Sequence, residues 1–180
     1  MIQTLTRLLR HRWLDAADAH RAVPPALADA LHRRVQASEQ RHTGEIRICV
    51  EGGLPPSYLW RHLRDRQPMP AIVRQRALMQ FAKLRVWDTE HNNGVLIYVL
   101  LAEHAIELVA DRGLNTRVSP AEWAAMVAHL GDALRAGRVE DGLTQVLEEV
   151  SAVLVQHFPA PADADAGTRI NQLPDTVMLC

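Results

Sequence analysis

The stretch Val86-Trp87-Asp88-Thr89-Glu90-His91-Asn92-Asn93-Gly94 is dense in oxygen-bearing side chains. Such a stretch is either a solvated turn or a loop that offers oxygen ligands to a hard cation. What lies beside it decides between the two. Gly94–Leu101 is continuously apolar and Ala105–Ala110 follows after the short turn Ala102-Glu103-His104. So short a connection forces an antiparallel hairpin. With the turn centred near Glu103, opposed residue numbers sum to roughly 206. Asn93 and Gly94 are then expected to face Arg112 and Gly113, and Val95 to face Asp111. The Asp88–Asn93 loop and the Asp111-Arg112-Gly113 segment therefore meet at one end of the sheet, with Glu45 at the same end if its strand runs parallel to Gly94–Leu101.

This placement predicts a cluster of Asp88, Glu90, Asn92, Asn93 and Asp111, with Glu45 adjoining. Hard oxygen ligands without cysteine suit calcium or magnesium rather than zinc. Gathered carboxylates repel unless a cation or counter-ion joins them, and Arg112 is the nearest counter-ion. Two readings stand: an Asp111–Arg112 cap beside a polar loop, or a divalent-cation site. If the site is catalytic, Asp88, Asp111 and Arg112 are the candidates.

Other chemistries lack support. The histidines show no paired metal spacing, and His91 alone lies in the cluster. Gly52-Gly53 has neither a GxGxxG pattern nor a lysine–serine pair. There is no GxSxG elbow, and Cys49 sits mid-strand. Trp13, Trp60, Trp87 and Trp123 are dispersed and the net charge is −1, so a nucleic-acid surface is not expected.

The elements that must position the cluster are legible. Ile2, Leu5, Leu9, Trp13 and Ala16 recur at helical spacing, with Arg7, Arg10, His11 and Arg12 on or near the other face. Pro24-Pro25 starts a second helix. Glu45–Glu51 alternates with period two, the pattern of a strand with at least one buried face. Residues 54–69 read as a connection with a short helix, and Ile72, Val73, Ala77, Phe81 and Leu84 mark the next one. The apolar run at 94–101 is a central strand covered on both faces. Ser119-Pro120-Ala121-Glu122 is a capping box that opens a helix, Gly137 stops it, and Leu143–Leu154 gives the last helix before Pro159. The roughly forty-residue link between the first two strands holds a helix, which favours a parallel pair with a right-handed crossover. The fold class is α/β: a small mixed sheet with helices on both faces.

Three segments are expected: a basic amphipathic helix at 1–22, a domain at 23–160 and a flexible tail at 161–180, of which Asn171–Asp175 docks back. Residues 1–87 hold fifteen Lys/Arg against seven Asp/Glu, and residues 88–180 five against fourteen. Either the halves attract across one fold, or the basic half serves a membrane or acidic partner. Cys49 and Cys180 lie far apart and are read as reduced. No signal peptide and no transmembrane segment are expected.

Thr43-Gly44-Glu45-Ile46-Arg47, Asn92-Asn93-Gly94-Val95-Leu96-Ile97-Tyr98 and Val109-Ala110-Asp111-Arg112-Gly113-Leu114 resemble the TPM domain family over roughly residues 25–160. That family includes a thylakoid-lumen phosphatase linked to photosystem II repair and bacterial proteins encoded beside LemA-type membrane proteins. Asn171-Gln172-Leu173-Pro174-Asp175 is similar to the tail of its short bacterial branch. The resemblance implies a Rossmann-like α/β/α sandwich with an acidic, calcium-binding groove, which by position would use Asp88, Glu90, Asn92, Asn93 and Asp111. The expected function is an interaction or accessory module for envelope-associated protein partners. It would act in the cytoplasm, peripheral to the inner membrane, with residues 1–20 available to the membrane surface. The alternative is a metal-assisted acid phosphatase.

Overall fold

The computed structural model describes residues 2–161 and 171–180. Its sheet has the order β3-β2-β1-β4, with β1 at Ile46–Glu51, β2 at Val95–Leu100, β3 at Ala105–Ala110 and β4 at Met178–Leu179. β1 and β2 are parallel, Ile46 opposite Val95, and β4 runs parallel on the other side of β1. β3 is antiparallel to β2.

Period-two alternation sorts the strand residues into two cores. Val95, Ile97 and Val99 of β2 and Ile46, Ile48 and Val50 of β1 face one layer. That layer holds α2 (Ala16–Ala22), α3 (Pro25–Glu39), α6 (Arg112–Asn115), α7 (Pro120–Arg135) and α8 (Val139–His157). Leu96, Tyr98 and Leu100 face the other layer, built from α4 (Pro56–Arg64) and α5 (Met69–Lys83) with Leu173 of the C-terminal segment. The expected α/β/α sandwich with a mixed sheet is what forms. Proline at the first turn of α3, α4, α5 and α7 sets each start, because its missing N–H is one the helix would leave unpaired. At α7 the expected capping box is present, Ser119 Oγ accepting from the Glu122 amide.

Several expectations are corrected. The single helix at the N-terminus is two, α1 (Ile2–Trp13) and α2, separated where Asp15 caps α2 with its own side chain. The hairpin turn takes up one residue more than its sequence suggested. Leu101–Glu103 form a 3-10 turn and His104 adopts a left-handed conformation at φ 49°. The register therefore shifts by one, and Val95 faces Ala110 rather than Asp111. β1 meets the expectation of at least one buried face and goes further, with both faces buried, polar residues included. Residues 171–180 are not a loose tail. They return along β1, where Cys180 N–H donates to Val50 O at 3.0 Å and Gly52 N–H to Cys180 O at 2.7 Å. Residues 162–170 lie outside the described residues.

α1 is seated on the 3-10 turn by polar contacts. His11 is 5% exposed; its Nε2 meets Glu103 at 3.0 Å and its Nδ1 accepts the Leu54 amide at 3.1 Å. Arg10 donates to Ala102 O at 3.1 Å. Gly52-Gly53 has a structural reason: a Cβ on Gly52 would lie 2.2 Å from Asp15 O, and one on Gly53 2.6 Å from His11 O. The α1–α2 junction therefore packs directly on backbone that a side chain would push away.

Candidate functional site

The loop before β2 and the segment after β3 meet at the sheet end where β1 begins. Gly113 N–H donates to Asn92 O at 2.9 Å and Asp111 N–H to Gly94 O at 2.9 Å. The approach is so close that a Cβ on Gly113 would lie 2.5 Å from Asn92 O. Asn92 makes the bend with φ at 52°, a conformation asparagine tolerates better than most residues. Glu45 is at the same end, its carbonyl accepting from Val95 N–H at 2.8 Å.

The expected ligands are distributed as follows. Asn93 is fully buried; its amide donates to Thr89 Oγ1 and its Nδ2 to Thr43 Oγ1, each at 3.1 Å. Its Oδ1 is buried with no hydrogen-bond partner. Asp111 caps α6, with Oδ1 accepting from the Arg112 amide at 2.7 Å. Its Oδ2 is buried without a partner too. Asn92 Oδ1 is taken by Arg112 Nε at 2.9 Å. Asp88 is exposed and ion-paired with Arg85. Glu90 is exposed, and its amide donates to Gln172 Oε1 at 2.8 Å. Arg112 therefore braces the loop through Asn92, while two oxygens, on Asn93 and Asp111, remain uncommitted.

Among the described residues the carboxylates whose oxygens converge are different ones. Glu39, Glu45 and Asp175 place one oxygen each within 4.8 Å of one another, and all three are buried. Glu39 takes the Ile46 amide at 3.0 Å. Asp175 accepts from Asn171 Nδ2 at 2.7 Å, and the Gln172 amide points at Glu45 Oε1 at 3.4 Å. Arg47, 4% exposed, lies within their field. Burial lowers its pKa from the ordinary arginine value, against the opposing pull of Asp175 and Glu39. Of this group the sequence pointed only to Glu45. The available signal was the alternation that puts Glu45, Arg47 and Glu51 on one side of the strand with Cys49 among them, which reads equally well as a solvent face.

That polar row continues along β1 to Glu51. Arg76 Nε donates to Glu51 Oε2 at 2.9 Å and Tyr98 Oη to the same oxygen at 2.7 Å.

The model of the TPM domain family matches residues 17–153. The chain belongs to the TPM domain family. This TPM domain is also similar to the solution structure of the BA42 protein from the psychrophilic bacterium Bizionia argentinensis. The TM-score is 0.67 at 23% identity, over 87% of this chain and 94% of that one. That likeness is one of fold. No curated protein matches. Among the described residues of the TPM domain, no helix is long and apolar enough to cross a membrane.

Proposed function

We propose that this TPM domain is an interaction or accessory module for envelope-associated partners, working in the cytoplasm at the inner membrane. Its site at the start of β2 would be stabilised by calcium or magnesium. The observation that carries the reading is how α1 sits. It turns His11 and Arg10 toward the domain and leaves Leu9 45% and Trp13 78% exposed. Among the described side chains of α1, those that bond to the domain are polar: Arg7, Arg10 and His11. Leu9, Trp13 and Leu14 line an open groove together with Arg10 and with Arg21, which is ion-paired with Asp18, so apolar side chains sit beside basic ones as contact with an anionic surface requires. Flotation with anionic phosphatidylserine-containing vesicles tests it. The intact protein should float, and a Leu9→Ser, Trp13→Ser variant should stay at the bottom. Equal recovery of both sinks the membrane contact.

For the cation, the uncommitted Asn93 Oδ1 and Asp111 Oδ2 are the supporting feature. A ligand that binds only the folded state at about a hundredfold over its Kd adds about 2.7 kcal/mol. Saturating calcium or magnesium should then raise Tm by about 5–10 °C. Asp111→Ala should abolish the shift. If Asp175→Asn abolishes it instead, the cation belongs to the Glu39–Glu45–Asp175 group.

The alternative, a metal-assisted acid phosphatase, draws on the exposed Arg112 guanidinium held by Asn92 beside Asp111. There a phosphate could meet both a cation and an arginine. Phosphatase turnover that survives Asp88→Ala together with Asp111→Ala counts against it.

A further inference from the structure

Cys49 and Cys180 are separated by most of the chain, yet their Sγ atoms lie 3.9 Å apart. The sheet produces this proximity. Cys49 pairs with Met178 across the β1–β4 ladder, and Cys180 follows Met178 by two residues, so the side chains of Met178 and Cys180 leave the strand on one face. Cys180 is held there by its backbone bonds to Val50 and Gly52. Both cysteines are free thiols. They differ in access: Cys49 is fully buried, whereas Cys180 is half-buried. Gln80 Nε2 also points at Cys180 Sγ, at 3.9 Å.

We propose that Cys49 and Cys180 are a thiol pair that a hydroperoxide converts into a reversible intramolecular disulfide, fastening β4 to β1. Cys180 is the attacking sulfur, since it is the one a small oxidant can reach. The Cys49 thiol beside it lowers its pKa from the ordinary thiol value, while Cys49, hydrogen-bonded to Cys180 and buried, is raised. The Cys180 thiolate attacks the peroxide oxygen and the O–O bond breaks. Cys180 becomes a sulfenic acid, and the departing alkoxide takes up the proton that the Cys180 thiol released. Cys49 sulfur then attacks Cys180 sulfur. The S–O bond breaks and the oxygen leaves as water with the Cys49 proton. Two electrons pass from the thiols to the peroxide, giving a disulfide, an alcohol and water.

The consequence follows from what β4 anchors. Gln172 and Asp175, a few residues upstream, contact Glu90, Glu45 and Asn171 at the acidic end of the sheet. Oxidation at one end of the segment therefore restrains the residues that close the other. The inference is independent of whether a cation binds there.

The reduced 180-residue chain, dilute and treated with equimolar hydrogen peroxide, should lose the mass of two hydrogen atoms while remaining monomeric. Its Tm should rise by about 10 °C, because the bond closes a very long loop, and dithiothreitol should return it to the starting value. Cys180→Ser should neither lose that mass nor shift in Tm. Cys49→Ala, which keeps a small apolar side chain in the core, should instead accumulate a Cys180 sulfenic acid that dimedone captures. Oxygen gain on Cys180 in the intact protein without mass loss overturns the pair. So does a disulfide that links two chains, or dimedone capture at Cys49 in the Cys180→Ser variant.

Discussion

At the scale of single residues, the strongest commitment in the TPM domain is the Glu51–Arg76–Tyr98 group. Glu51 and Arg76 side chains are 5% and 11% exposed, and both Arg76 and the Tyr98 hydroxyl are spent on the one carboxylate. Burial is the main influence on Tyr98 and raises its pKa above the ordinary phenol value, with the Glu51 charge adding to the effect. For Arg76 burial acts downward, but the bond and charge of Glu51 outweigh it and the net shift is upward. Removing one partner of a buried pair leaves the other charge stranded, which costs more than the pair contributed. Arg76→Ala should therefore cost about 3–5 kcal/mol in urea denaturation, and Glu51→Gln added to it should recover part of that loss. Additive losses would show that the two side chains do not act as a pair. The Asn93 and Asp111 oxygens are the opposite case, since each is buried without a partner and neither is explained by the fold alone.

At the scale of elements, one glutamate receives two of the bonds that seat α1. Glu103 receives His11 Nε2 at 3.0 Å and Arg7 Nε at 3.1 Å. Burial tends to raise its pKa, but His11 and Arg7 outweigh burial and the net shift is downward from the ordinary glutamate value of 4.5. A carboxylate whose folded pKa is depressed contributes stability that is present above its unfolded value and lost as pH falls through the folded one. Attachment of α1 should thus be intact at neutral pH and weaken below about 4.5. Amide hydrogen exchange in residues 6–13, corrected for the intrinsic pH dependence of exchange, should show α1 losing protection progressively as pH falls. Glu103→Gln should lower that protection already at neutral pH, and protection that ignores both pH and the substitution contradicts the assignment. The β2–β3 turn that presents Glu103 also explains the one-residue register shift. A 3-10 turn closed by a left-handed His104 depends on local backbone energetics that the apolar pattern on either side does not report.

At the scale of the molecule, the opposed charge of the two halves is used within the fold. Arg7–Glu103, Arg34–Glu148 and Arg74–Glu107 join one half to the other. Their arginines are 42–52% exposed, so each pair adds only about 0.2–1 kcal/mol. Cohesion comes instead from the shared sheet, in which β1 of the basic half lies between β2 and β4 of the acidic half. The halves are thus intertwined, with Glu45 and the Asp111 segment at the start of β1 and the α1–α2 junction against Gly52-Gly53 at its finish.

Order along the chain was enough to define the strands β1 to β3, the long helices and the family, because periodicity and capping are local properties carried by neighbouring residues. Even the meeting of Asn92 with the Asp111–Gly113 segment was legible, since a hairpin converts short sequence separation into distance. The tertiary structure alone decided what sequence separation conceals. It added Met178–Leu179 to the sheet as β4, set Asp175 beside Glu39 and Arg47, placed Cys180 against Cys49 and bonded Arg10 and His11 of α1 to the domain. Each of these joins residues far apart in the chain, or chooses which of two faces is buried. Such choices follow from the free energy of the whole packed molecule rather than from any local pattern.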